Sequence, residues 1–90
     1  MIQHLSLDFR HIAGMADFYR QFAALLALDG GFGANLDALW DAITAEIALP
    51  LHLTLRHLQQ HADPQQFNAL IDVLRDAEKE TAGAFRLLIE

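Results

Sequence analysis

The chain has no cysteine, a single lysine (Lys79) and two prolines in its 90 residues. Without cysteine there is no disulfide, no thiolate nucleophile and no cysteine-ligated zinc. Secreted domains of this size often need disulfide staples, so a cytoplasmic setting is expected. Bases are scarce: six against twelve acids, for a net charge of −6. Phosphate binding needs a basic face, so nucleic acid is not an expected partner. No apolar run approaches the roughly 20 residues that span a bilayer. No basic segment followed by an apolar run marks a leader peptide, so no membrane partner is expected either.

What the chain does have is apolar mass. The hydrophobic fraction is 53%, high enough for a dense core in a small protein. Residues 1–90 are expected to form one domain.

Leu5, Leu7 and Phe9 alternate with polar residues and predict a strand near residues 2–8. Gly14 and Asp17 open a helical pattern, with Met15, Phe18, Phe22, Leu25 and Leu26 as its apolar stripe. The pair Gly30–Gly31 is expected to stop it. Asn35 is the cap of a second helix, with Leu36, Leu39, Trp40, Ile43 and Ile47 facing the core. Leu49, Leu51, Leu53 and Leu55 alternate as a second strand, and a short helix is expected over residues 54–61. The Leu49–Pro50 bond is expected to be trans by default. Asp63, Pro64 and Gln66 form a helix-start signal. Phe67, Leu70, Ile71, Leu74 and Ala77 continue as a stripe, Gly83 ends it, and Phe85, Leu87 and Ile89 alternate as a last strand.

The fold class is therefore α/β: a small three-stranded parallel sheet with about four helices, in the order β-α-α-β-α-α-β. Long helical connections suit parallel pairing. The alternation within each strand predicts one well-packed sheet face and one thinly covered face.

The most informative stretch is residues 31–44, a glycine-broken loop followed by a capped helix. Asp37 and Asp41 fall one turn apart on a side away from the apolar stripe, with Thr44 beyond them. Like charges at this spacing slightly oppose a helix. The helix dipole favours Asp37 in the first turn but does little for Asp41. A partner with concentrated positive charge would explain both.

The run Gly33-Ala34-Asn35-Leu36-Asp37-Ala38-Leu39-Trp40-Asp41 resembles the signature of the barstar family, intracellular inhibitors of barnase-type ribonucleases. A leucine-rich helix before it, Leu49-Pro50 after it and Leu74-Arg75-Asp76-Ala77 near the end extend the likeness over nearly the whole chain. The resemblance implies a non-enzymatic protein whose loop and second helix plug a nuclease active site. It implies that Asp41 mimics a substrate phosphate, with Asp37 a second charged contact and Thr44 a flanking hydrogen-bonder. Phe32 and Gly33 would form the inhibiting loop, with Asn35 near the contact and Asp76 a further acid. The implied partner is a small basic ribonuclease of barnase type or a related toxin. The alternative is an immunity or interaction protein of the same fold with a different basic partner. Gly31, Ala34 and Glu46 depart from the best-known member, which has tyrosine, an acid and tryptophan there, so the aromatic surround is changed.

Other chemistry is poorly supported. His57 and His61 have helical i, i+4 spacing but no third ligand nearby, so no metal is expected. Asp37 and Asp41 could in principle do acid–base work, but a convex helix face offers no pocket to perturb one of them. No cofactor motif is present.

Overall fold

The computed structural model describes residues 1–28 and 32–90. Three parallel strands, β1 (Gln3–Asp8), β2 (Leu51–Arg56) and β3 (Phe85–Ile89), lie in the order β1-β2-β3. Leu5 pairs with Leu53 and Leu53 with Leu87, so the apolar residues of all three strands fall in register. That face is buried beneath α1 (Met15–Leu25), α2 (Leu36–Asp41) and α3 (Asn68–Glu80), except at its end, where Ile89 is exposed. The opposite face carries His4, His52 and Arg86 in one row and Ser6, Thr54 and Leu88 in the next. It is largely open, as the alternation requires: His4, Ser6, Arg86 and Leu88 are exposed.

Five of the six phenylalanines lie fully in the core: Phe9, Phe18, Phe22, Phe67 and Phe85. Phe9 meets Phe67 edge-on at 4.8 Å between ring centres, and Phe18 stacks on Phe22 at 5.7 Å. Such geometries add to simple area burial. On α1, Tyr19 joins the buried stripe, whereas Leu25, expected inside, is exposed.

Several elements differ from the sequence-based expectation. Residues 54–56 belong to β2, because Leu51, Leu53 and Leu55 keep alternating across an open-faced sheet. Only a 3-10 turn, Leu58–Gln60, follows. The described residues thus hold three α-helices rather than about four. Asp63 makes no side-chain cap; Pro64–Phe67 is a 3-10 turn leading into α3, and Gln66 Nε2 donates to the Asp63 carbonyl at 3.1 Å. The Leu49–Pro50 bond is cis, not trans; the tertiary amide before proline makes that isomer accessible.

Both long helices end on alanine in the left-handed region, at Ala27 (φ 51°) and Ala82 (φ 53°). At α1, Leu28 N–H donates to Ala23 O and Ala27 N–H to Ala24 O. At α3, Gly83 N–H donates to Glu78 O and Ala82 N–H to Lys79 O. Each is a Schellman closure, normally built on glycine. The first helix therefore stops before Gly30–Gly31, a pair outside the described residues, and the third turns at Ala82 with Gly83 following at φ 86°.

The β3 edge is terminated by side chains. Glu78 Oε2 accepts from Leu87 N–H at 2.9 Å, and Arg75 Nη1 donates to Leu87 O at 3.2 Å. Thr81 Oγ1 accepts from Phe85 N–H at 3.0 Å. Groups that could pair with another strand are thus occupied from α3.

Candidate functional site: an acidic helix on a tied loop

Asn35 organises the site. Its Oδ1 accepts from Ala38 N–H at 2.8 Å, capping α2, and its Nδ2 donates to Gly33 O at 2.9 Å. One side chain therefore caps the helix and fixes the loop entering it. Gly33 has little room: a Cβ there would sit 3.2 Å from Asn35 Nδ2 and 3.3 Å from Ala38 Cβ. Ala34, between them, takes a left-handed conformation at φ 46°.

Phe32 points inward. It is half-buried, 6.0 Å from Phe22 and 6.1 Å from Tyr19 between ring centres. The loop is thus keyed to the core from Phe32 and to the helix from Gly33. The glycines at 30 and 31 lie outside the described residues.

Asp37 and Asp41 follow on α2, both exposed, with no ion pair or side-chain hydrogen bond among the described residues. Four of the five arginines are engaged elsewhere. Arg10 pairs with Asp8, Arg20 with Asp17, Arg56 with Glu90 and Arg75 with Glu78. The α2 carboxylates therefore present uncompensated charge to solvent. Where pairing does occur it shows: the Arg10 guanidinium holds the Asp8 carboxyl well below the usual range.

Beyond Asp41 the helix widens into a π turn, Ala42–Glu46, closed by Ile47 N–H on Ala42 O at 2.9 Å. Thr44 lies in it and gives its hydroxyl hydrogen to Trp40 O at 2.8 Å, leaving the oxygen able to accept from a partner. Trp40, expected in the core, is only half-buried at its margin, while Leu39 and Ile43 fill the interior. Asp76 is exposed on α3, the helix packed against α2, and has no ion pair among the described residues. Its neighbour Arg75 is drawn instead to the β3 edge.

Phe32, Gly33, Asn35 and Asp37 thus form one loop–helix unit, Asp41 and Thr44 continue it, and Asp76 sits on the adjoining helix. Met15, Tyr19, Gln66 and Ala69 border a hollow beside Asp37, a place at the site that the sequence pattern does not give them. The signal was weak, since only the Met15–Tyr19 spacing marks a shared face.

His61 engages the backbone through both ring nitrogens. Asp63 N–H donates to His61 Nδ1 at 2.9 Å, so the ring hydrogen is on Nε2, which meets Ile12 O at 2.7 Å. His61 thereby ties two backbone segments together.

A model of the family described as Barstar (barnase inhibitor) matches residues 2–90. The chain belongs to the barstar family. It is also similar to "Putative ribonuclease inhibitor YrdF" of Bacillus subtilis (strain 168), 33% identical over an alignment of 66 residues, with 66% of this chain and 67% of that protein covered. The parallel three-stranded sheet with its helices fits a barstar fold. No helix among the described residues is long and apolar enough to cross a membrane.

Proposed function

We propose that this barstar-family chain inhibits a small basic ribonuclease of barnase type in the cytoplasm, by occlusion and without catalysis. The loop from Phe32 and helix α2 enter a cationic active-site cleft. Asp41 takes the place of a substrate phosphate, Asp37 makes a second charge contact, and Thr44 and Asp76 flank them. A carboxylate offers two acceptor oxygens to an arginine fork, as a phosphate does. The observation that carries this reading is the exposure of Asp37 and Asp41 on a capped helix, neither of them in an ion pair among the described residues.

The test is titration against a panel of barnase-type ribonucleases, with Asp41→Ala alongside. Charge pairs in complexes of this family are among the cases behind the general cost of about 2–5 kcal/mol for truncating one partner. That corresponds to about 30- to 5,000-fold in affinity. The variant should melt like the parent, because the Asp41 side chain makes no hydrogen bond or ion pair among the described residues. Affinity should fall steeply with salt. Loss of fold in Asp41→Ala, or unchanged inhibition, would sink the phosphate-mimic role.

A second reading keeps the fold and changes the partner to another toxin or basic protein. Phe32 turned onto Phe22 and Tyr19, together with an acid at Glu46, favours it, because aromatic anchors supply much of an interface's affinity. Inhibition of no ribonuclease in the panel would select this reading.

A further inference from the structure

We infer that the hollow beside Asp37 receives an arginine or lysine side chain of the basic partner, so that α1 and α3 help set specificity. The inference rests on the inhibitor reading and extends its footprint. The hollow is about 640 Å³, with Met15, Tyr19, Leu36 and Ala69 on its walls and Asp37 and Gln66 at its rim.

Its walls and its rim ask for different things. Tyr19 is packed between Phe18 and Phe32 at 7% exposure, and Met15 and Leu36, also lining the hollow, are half-buried. These surfaces suit methylene groups. The rim offers acceptors. Asp37 has no cation among the described residues, and Arg20, on the same helix as Met15 and Tyr19, is bound to Asp17. Gln66 gives one of its two amide hydrogens to the Asp63 carbonyl and keeps Oε1 as an acceptor. An apolar body with a donor-only, positively charged tip matches both requirements, and that describes a lysine or arginine side chain. An anionic or purely apolar occupant would leave the Asp37 carboxylate repelled or desolvated without a partner.

Ala69 allows the test because it is exposed in the first turn of α3 and takes no part in the core. Ala69→Lys and Ala69→Glu are titrated against a barnase-type ribonuclease that the parent inhibits, with melting curves for each. Ala69→Lys should fold normally and lose about tenfold or more in affinity, since it neutralises Asp37 from within and repels the incoming cation. Ala69→Glu brings similar bulk without the repelling charge and should lose clearly less than Ala69→Lys. Equal losses in both overturn the cationic occupant. No change in either overturns the hollow's role, and loss on Asp41→Ala in the same titration shows that the inhibitor reading survives. If the parent inhibits no ribonuclease, that reading fails, and a tetra-arginine peptide then decides the hollow. Shifts of the Met15 and Ala69 methyl resonances that vanish in Asp37→Asn support it; no shifts overturn it. A concentration-dependent dimer abolished by Ala69→Lys would assign the hollow to a second copy and also overturn it.

Discussion

Replacing Glu78 by alanine should cost this protein a substantial share of its stability, although Glu78 lies at the surface. Its Oε2 is the partner of the Leu87 N–H at 2.9 Å, and Leu87 is only 3% exposed. Removing the carboxylate leaves that amide buried and unpaired, at a cost of about 1–3 kcal/mol, with the upper half favoured because the acceptor is charged. The Arg75–Glu78 pair at 3.5 Å adds little, since the Arg75 side chain is 45% exposed. Alanine is a slightly better helix former than glutamate, which works against the loss. A net loss of about 2 kcal/mol corresponds to about 8–16 °C in melting temperature for a chain of this length. Glu78→Gln should lose less, because its amide oxygen can still accept. Thermal melting gives the total, and amide hydrogen exchange at Leu87 localises it. If Glu78→Ala melts within about 2 °C of the parent and Leu87 exchanges no faster, the edge-capping argument is wrong.

Three other outcomes follow from the geometry. Ala82→Gly should stabilise the fold by about 0.5 kcal/mol, relief of left-handed strain exceeding the added freedom of the unfolded chain; a denaturant midpoint that falls would contradict this. Asn35→Ala should cost about 1 kcal/mol of stability and, having released Gly33 as well as the helix start, should also weaken ribonuclease binding. Asp17 accepts from Ala13 N–H at 2.9 Å and pairs with Arg20, and these contacts, the backbone bond first, hold its carboxyl below the ordinary 3.8. Its contribution is therefore complete above that value and lost as pH falls through the lowered one, so Asp17→Asn should flatten the acid limb of a stability profile below about pH 4.

The parts of this fold that local patterning encodes were readable. Alternating leucines located the strands, and their common parity produced both the packed face and the open one. Asn35 announced its cap because asparagine before an apolar run has few other uses. The helix ends were harder, since nothing in the chain marks Ala27 or Ala82 as left-handed; their closures depend on what the next residues pack against. Residues 54–56 looked helical because His52, Thr54 and Arg56 face solvent and blur the strand's character. At the site, the acids were legible, but the direction of Phe32 was not, since an aromatic in a loop reads the same whether it faces out or in. The Glu78–Leu87 bond joins residues on different elements and leaves no periodic trace.

Phe32 rests on two rings of α1 while Gly33 is held by Asn35, so this segment is braced at both ends before anything docks. The entropy of ordering it is therefore charged to folding rather than to encounter. Trimming Phe22, out of reach of any visitor, would cost fold stability first and, in the molecules still folded, shorten the life of a complex, so the lifetime of the embrace is written partly in the hydrocarbon interior.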